Sequence, residues 1–461
     1  MTPSFRITAE SLGSAEFRND YAVRFSYLAG AMYKGIASKE LVVAMGKGEM
    51  MGFLGTGGMD LLEVDHAIEF IKRELSRNQS YGVNLLCNMD QPQLEERTVE
   101  LFVRHGVRNV EAAAFMQMTP SLVRWRLSGL RRVNNGTVVE SPRRTLAKVS
   151  RPEVATAFMQ PAPLPIVRDL LAAGKISSEE AELSQAVPMA DDICVEADSG
   201  GHTDQGVALA LVPAMICLRD EMMAKHRYDK RIRLGAAGGI GTPHAAAAAF
   251  VMGADFILTG SINQCTVEAG TSDAVKELLQ DMDVHDTDYA PAGDMFEIGA
   301  RVQVAKRGLF FAARANKLYE LYQRHNSLEE IDARTRMQIQ ERYFRRSFDE
   351  VWKETREYYA RATPNRSAEI DQIEKHPKQK MALIFRWYFV HSTRLALQGN
   401  EDQRVDYQIH CGPALGAFNQ WVKGTHLQSW RNRHVAQIGR HMMTETAELL
   451  RRRLGAMAEE E

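Results

Sequence analysis

The chain has 461 residues, of which 45% are hydrophobic and 25% charged, with 33 glycines. This is the composition of a folded globular protein, and it argues against a disordered, collagen-like or membrane-embedded chain. The 57 Lys and Arg against 59 Asp and Glu give a formal charge of −2, so bulk charge points to neither nucleic acid nor membrane. The near-neutral total hides a split. Residues 301–461 hold 28 basic and 20 acidic side chains, which leaves residues 1–300 with 29 against 39 and suggests a seam near residue 300.

Cys87, Cys194, Cys217, Cys265 and Cys411 form no C-x-x-C pair and no metal-site spacing, as expected in a reducing cytoplasm. The N-terminus lacks a basic start followed by an apolar core, so no secretory signal is expected. The longest apolar run, Met381–Val390, contains Arg386 and is too short to span a bilayer.

In chain order, the first 265 residues alternate short apolar runs with amphipathic stretches. The strand candidates are Leu28–Ala31, Met51–Gly55, Gly82–Leu86, Val110–Ala114, Thr145–Val149, Ile193–Ala197, Ile232–Ala237 and Phe256–Thr259. Helical patterning lies between them, for example over Glu63–Leu75, Leu94–His105, Ser121–Arg131 and Gly206–Met223. Strands alternating with helices over this length predict an α/β fold, a (β/α)8 TIM barrel, with a doubly wound open sheet as the alternative. One connection, Arg151–Asp192, is long and carries a helical pattern over Ile166–Leu183, which predicts a helical lid or substrate subdomain inserted over 151–192. Beyond residue 300 the pattern is helical, over Arg301–Arg324, Ser327–Arg345, Phe348–Tyr359, Lys380–Gln398 and Ser429–Leu454. The expected organisation is therefore a barrel over 1–300 and a mostly helical C-terminal extension over 301–461.

Three segments carry chemistry. Glu196–Asp204, E-A-D-S-G-G-H-T-D, follows the sixth strand, and paired glycines before His202 let backbone approach a ligand. Leu234–Pro243, L-G-A-A-G-G-I-G-T-P, ends the seventh strand, with Gly238, Gly239 and Gly241 leading to Thr242 as a helix cap and Pro243 at the first helical position. Asp255–Ser261, D-F-I-L-T-G-S, places Gly260 and Ser261 at the end of the eighth strand. Glycine-rich ends of strands seven and eight are where barrels commonly hold a phosphate, so a phosphate-bearing cofactor is expected across strands six to eight. Lys148 ends the fifth strand on the same face, where it either meets cofactor or substrate or reaches solvent. Asp198 and Asp204 flank His202, either orienting it or solvated in the loop. Cys265 has no nearby base and reads as a buried structural thiol. No metal site is expected among the thirteen histidines.

Taken together these segments resemble the FMN-dependent nitronate monooxygenase and enoyl-acyl-carrier-protein reductase superfamily. The resemblance lies in A-G-A-M at 29–32, Y-G-V-N-L-L at 81–86, S-G-G-H at 199–202, A-A-G-G-I at 236–240 and T-G-S at 259–261. K-V-S-R-P-E-V-A at 148–155 and P-M-A-D-D-I-C-V-E-A-D-S-G-G-H-T-D at 188–204 look like the trans-acting enoyl reductases of polyketide and polyunsaturated fatty acid synthases, the PfaD family. The resemblance implies an FMN-binding barrel in which Gly30, Ala31 and Met32 line the flavin and Asn84 hydrogen-bonds it. It also implies that Gly201, Gly238, Gly239, Gly260 and Ser261 hold the phosphate end. His202 is the implied catalytic residue, and Lys148, from its place at the end of the fifth strand, is a second catalytic candidate and a candidate flavin contact. The implied reaction reduces the α,β-double bond of an enoyl thioester on an acyl carrier protein, with NADPH or NADH as hydride donor. The alternatives are a nitronate-monooxygenase-like FMN oxidase and a non-catalytic assembly component. The basic C-terminal helices are either ordinary solvated faces or a docking face for an acidic carrier protein, with no nucleic-acid or membrane partner expected, and homo-oligomerisation is left open.

Overall fold

The computed structural model describes residues 7–89, 91–133, 138–362, 370 and 372–459. Its first three strands are β1 (Tyr27–Ala29), β2 (Met51–Leu54) and β3 (Gly82–Leu86). After β4 (Asn109–Ala113), β5 (Arg131–Val133) and β6 (Val138–Glu140) form a separate hairpin. Then come β7 (Arg144–Val149), β8 (Asp192–Glu196), the two-residue β9 (Gly201–His202), β10 (Arg233–Ala237) and β11 (Phe256–Thr259). Eight of these strands, in the order β1-β11-β10-β8-β7-β4-β3-β2, close into a parallel barrel. They are the eight expected from the sequence, with ends shifted by a residue or two. Because β1 pairs with both β11 and β2, the sheet has no edge, and the open doubly wound alternative is excluded.

Closure depends on matching side-chain sizes across neighbouring strands. Phe53 lies opposite Gly82 and Phe256 opposite Gly235, where any larger residue would collide with the ring. These rings join Leu28, Leu146 and Cys194 in one buried cluster, which the N-terminal helix Ala15–Tyr21 completes with Phe17 and Tyr21. Phe17 stacks on Phe256 at 4.5 Å between ring centres. At this end, where the strands begin, Asp192 is fully buried. It accepts from Arg233 Nε at 2.6 Å and Nη2 at 3.0 Å and from the Tyr21 hydroxyl at 2.6 Å. Arg233 Nη1 also donates to Asp20 at 2.7 Å, so one guanidinium ties β8 and β10 to the N-terminal helix.

The outer ring takes helices from successive connections, among them Lys39–Lys47, Leu61–Glu74, Pro92–Arg104, Pro120–Leu127, Ala208–His226 and Pro243–Val251. The last begins as expected: the Thr242 hydroxyl accepts from the Ala245 N–H at 3.3 Å, and Pro243 is the first helical residue. The 151–192 insert is helical, as Pro152–Met159, Leu164–Ala172 and Ser178–Leu183. Its first two helices pack respectively on Ala208–His226 and on Pro120–Leu127.

Only a single short turn, Ser261–Gln264, follows β11 directly. The gap in the ring is filled by the C-terminal helix Val435–Glu459, which packs against both Pro243–Val251 and Lys39–Lys47. Small residues permit the close approach. A side chain at Gly439 would begin 2.8 Å from Met50 Sδ, and one at Gly48 would begin 2.6 Å from Ala436 Cβ. Ile438, Met442, Met443 and Ala447 bury the apolar face of this helix.

The chain accordingly forms two compact units that differ from a division at residue 300. The first comprises Met1–Ser199, Asp204–Gly270 and Ala417–Glu461, and the second Gly200–Thr203 and Thr271–Gly416. The end of the C-terminal region joins the barrel because Val435–Glu459 packs on β1 and on the ring helices Pro243–Val251 and Lys39–Lys47.

Within the second unit, β9 pairs antiparallel with β13 (Arg301–Ala305), which pairs with β12 (Thr287–Pro291). Residues 301–305 open a segment whose pattern predicts helix. Instead, R-V-Q-V-A forms a strand buried from Val302 to Ala305, its apolar and polar residues alternating in sequence with the strand period. Helices Phe311–Arg324, Phe348–Ala362 and Pro377–Gln398 cover a core rich in aromatic rings, including Phe296, Phe311, Phe344, Trp352, Phe385, Tyr388 and Phe389. Arg314 and the Tyr388 hydroxyl converge on the buried carboxylate of Asp406.

The Asp192–Arg233 pair makes a stability prediction. Arg233→Met leaves a buried carboxylate without its guanidinium and should cost about 3–5 kcal/mol of unfolding free energy, read as a fall in the urea midpoint. Arg233→Lys should recover only part of this, because one ammonium cannot replace the fork on Asp192 and the bond to Asp20 together. A wild-type midpoint for Arg233→Met would show that the network does not hold the barrel floor.

Candidate functional site

Polar side chains at the barrel's interior come from four adjacent strands. Glu111 on β4, Lys148 on β7 and Glu196 on β8 form an ion triad, with Lys148 Nζ 3.6 Å from Glu111 Oε1 and 3.4 Å from Glu196 Oε1. Glu111 is fully buried, and its Oε2 accepts the Ala31 N–H at 2.9 Å. Asn84 on β3 donates from Nδ2 to the Glu111 carbonyl at 3.0 Å and accepts at its own carbonyl from the Thr56 hydroxyl at 2.8 Å. Four strands and the loop after β1 are thereby coupled through a single glutamate.

The electrostatics of the triad follow from burial and proximity. Burial works against the Lys148 ammonium, but Glu196 and Glu111 more than offset it and raise its pKa. Lys148 is therefore a fixed cation and not a base. Burial pushes the Glu111 carboxyl up, opposed by Lys148 and by the Ala31 N–H. Glu111 Oε1 is buried and accepts no hydrogen bond, so Lys148 is its stabilising neighbour at this oxygen.

The loops after β1, β10 and β11 complete this end of the barrel. Gly30 donates to the Thr259 carbonyl at 3.0 Å, and the Met32 carbonyl sits where a side chain on Gly55 would collide with it. Gly238 is required by the protein itself, since its φ is +84° and a side chain there would begin 2.6 Å from the Ala197 carbonyl. Gly239 and Gly260 are different, because a side chain at either would meet no protein atom within 4 Å. Gly239 has a φ of +73°, which favours glycine, and Gly260 lies at φ −128°, ψ −74°, outside the main β and α regions. No neighbouring protein atom requires glycine at 260, so its backbone is open to the approach of a ligand. The open backbone at Gly239 and Gly260 leaves room for a phosphate group such as that of FMN to approach.

His202 and Gly201 belong to the second unit. Gly200 lies where a side chain would begin 2.8 Å from the Cys411 backbone, and Gly201 has a φ of +90°, so local structure requires both glycines. His202 pairs with Val302 on β13, and its Nε2 lies 2.9 Å from Asp294 Oδ1. Crowding works against ionisation of Asp294, but His202 outweighs this and holds the carboxyl below its ordinary range. Nearby His410 has its imidazole pushed down to about 4, mainly by burial and further by His202.

Asp204, which follows His202 in sequence, takes Arg151 in a two-pronged pair, at 3.0 and 2.6 Å. Cys265 is buried, and its sulfur accepts from Arg433 at 3.3 Å. Among the described residues, no cluster of three or more His, Cys, Asp or Glu side chains is placed to hold a metal ion, and no helix is long and apolar enough to cross a membrane. Sequence reasoning missed Glu111 and Asp294. Glu111 has a visible signal, a lone acid inside the apolar run N-V-E-A-A-A, whereas Asp294 lies far from His202 in sequence.

Comparison with known proteins agrees with this architecture. Residues 325–407, inside the second unit, match the model of the inserted helical domain of [acyl-carrier-protein] S-malonyltransferases. The chain is 60% identical over 451 residues to the polyketide biosynthesis protein PksE of Bacillus subtilis, covering 98% of this chain and 58% of PksE. To a polyunsaturated fatty acid synthase component of Thraustochytrium it is 44% identical over 422 residues, covering 91% of this chain and 28% of that protein. The chain thus spans less than two thirds of these curated relatives. The crystal structure of the enoyl reductase domain of MlnA, from the macrolactin biosynthesis cluster of Bacillus amyloliquefaciens, superposes with a TM-score of 0.93 at 46% identity, covering 97% of this chain and 99% of that domain. With a matching barrel, a matching second unit and this identity over the whole of that domain, the chain belongs to the PfaD-like enoyl reductase family of polyketide and polyunsaturated fatty acid synthases.

Proposed function

We propose that the chain is a trans-acting, FMN-dependent enoyl reductase that saturates the α,β-double bond of an enoyl thioester on an acyl carrier protein, with NADPH or NADH as reductant. The observation that carries this reading is the backbone at Gly260, clear of neighbouring protein atoms at the end of a barrel strand, in a barrel that also holds the Glu111–Lys148–Glu196 triad. The family of the chain supports the reaction type. When bound, FMN supplies the two-electron chemistry, taking hydride from the nicotinamide and passing it to the β-carbon of the thioester.

The chain's own residues supply placement, charge and one proton. Gly239, Gly260 and Ser261 bind the phosphate end by letting backbone approach it. Lys148, fixed as an ammonium, offers hydrogen-bond donors and positive charge to an electron-rich oxygen. Glu111 and Glu196 aim that ammonium and prevent its loss as a proton. The α-carbon needs one proton per turnover, and His202 is the residue assigned to donate it, since imidazole exchanges protons near neutral pH. The surplus of basic over acidic side chains in residues 301–461 suits association with an acidic carrier protein.

Flavin retention tests the reading. The purified protein should be yellow and release FMN on denaturation. Gly260→Ala should weaken FMN binding by about tenfold or more, the scale of one lost hydrogen bond to a charged group, with the apoprotein melting as wild type does. A protein that stays colourless after reconstitution with FMN would refute the proposal. An early-melting apo Gly260→Ala would instead give this glycine a structural role.

A second test concerns the triad. Lys148→Met should slow enoyl turnover by at least about tenfold and destabilise the barrel by roughly 3 kcal/mol, because two carboxylates lose their cation. Adding Glu111→Gln should restore much of the stability without restoring turnover. Recovery of turnover in the double variant would show that Lys148 serves the fold alone.

A further inference from the structure

The C-terminal ends of β1, β2, β3 and β4 carry an apolar rim that core packing does not require. These strands are neighbours in the barrel, and their loops belong to the first unit. Tyr33 follows β1, Leu86 ends β3, Met89 lies three residues further on, and Met116 follows β4. Their side chains are 46%, 36%, 58% and 64% exposed, in that order. The loops that carry them meet. A side chain at Gly57, after β2, would begin 2.6 Å from Leu86 Cδ1, and one at Gly58 would begin 2.6 Å from the Tyr33 ring. Across the next gap, the Gln117 amide beside Met116 donates to Met89 Sδ at 3.5 Å. Residues 52–59, 85–89 and 112–123 hold no charged side chain.

The backbone beneath these side chains is held firmly. Glu95, on helix Pro92–Arg104, is 3% exposed and serves two loops at once. It accepts the Asn88 N–H at 3.0 Å, after β3, and the Thr119 hydroxyl, after β4. Thr119 in turn caps the next helix by accepting the Leu122 N–H at 3.2 Å. Ala114 is fixed at a φ of +62°, a left-handed conformation that is costly for any residue with a side chain. Directly after it, Phe115 is buried edge-on against Phe158 at 6.3 Å between ring centres, while Met116 is left in solvent. A fixed backbone that presents pliable thioether side chains is suited to apolar ligands of varied shape.

We propose that this rim is the acyl subsite, the surface that receives the hydrocarbon chain of the substrate beyond its double bond. The inference rests on the reading of the chain as an enoyl reductase. Two observations select this occupant. The rim stands at the strand ends where barrels build their sites, and it adjoins the polar groups of the interior, since the loop after β1 runs from Ala31, whose N–H is held by Glu111, directly to Tyr33. Charge supplies the second. An acidic carrier protein calls for cations, which residues 52–59, 85–89 and 112–123 lack, whereas a hydrocarbon chain asks only that apolar surface leave water. Met89 and Met116 are accordingly assigned as residues that set the preference for chain length.

The test uses the FMN-loaded full chain with pantetheine thioesters, so that no carrier protein contributes to binding. Crotonyl ends one carbon beyond its double bond, and trans-2-octenoyl adds four methylenes. Wild type should show a KM for octenoyl at least about tenfold below that for crotonyl, as expected for methylenes that leave water. The double variant Met89→Ser/Met116→Ser should lose most of that preference, with KM moving more than kcat, whereas Met89→Leu/Met116→Leu should keep it, because Leu restores the apolar surface. Independently of turnover, the dissociation constant of octanoyl-pantetheine, titrated calorimetrically, should rise in the serine variant and not in the leucine variant. Equal KM values for both chains in wild type, or an unchanged preference in the serine variant, would overturn the acyl subsite and leave the enoyl reductase reading standing. A serine variant whose native mass differs from wild type would make the rim a contact between copies of the chain and also overturn the assignment. Failure of wild type to reduce either thioester would overturn the enoyl reductase reading, and this inference with it.

Discussion

An eight-stranded barrel must have the outer face of every strand covered, and in this chain the last cover comes from the far end of the sequence. After β11 the chain makes one short turn and then builds the whole of the second unit before Val435–Glu459 returns to pack between the ring helices on either side. The small residues at Gly48, Ala436 and Gly439 permit that close packing. The 271–416 segment is therefore an insertion between a barrel strand and its ring helix, not an appendage. Its ends are both held by the barrel chain, and a second short excursion, Gly200–Thr203, supplies one of its strands.

The same economy appears in the polar groups. Two of the barrel's sets of paired charges contrast. At the ends where strands begin, Arg233 neutralises Asp192 and secures the N-terminal helix, a structural pairing. The second set joins Glu111, Lys148 and Glu196, two acids to one base, with Glu111 Oε1 accepting no hydrogen bond. An arrangement with that imbalance is costly to bury. The glycines divide likewise. Gly82, Gly235 and Gly238 answer to neighbouring protein atoms, whereas Gly260 answers to none.

Much of the barrel is legible in the sequence because a parallel strand buried on both faces must be written as a short apolar run, and eight such runs are present. The Thr242 cap and the Pro243 helix start are legible for the same local reason. Features that depend on contact between distant segments are not. No pattern within residues 435–459 says which surface an amphipathic helix will cover, so the expected boundary at 300 differs from the units formed. The strand Arg301–Ala305 is hidden by the helical texture that follows it, although its alternation carries the correct period. At the site, S-G-G-H draws attention to His202 and its glycines, yet Gly200 and Gly201 serve backbone packing and conformation in the second unit. One partner of the histidine, Asp294, is supplied by a hairpin far away in sequence.

The central claim is that this framework reduces enoyl thioesters. It is tested most directly by mixing the FMN-loaded protein with NADPH and a crotonyl-carrier-protein thioester under strict exclusion of oxygen, and weighing the acyl chain by mass spectrometry. The account predicts one butyryl product for each NADPH consumed. Consumption of NADPH only when oxygen is admitted, with the crotonyl chain unchanged, would contradict it.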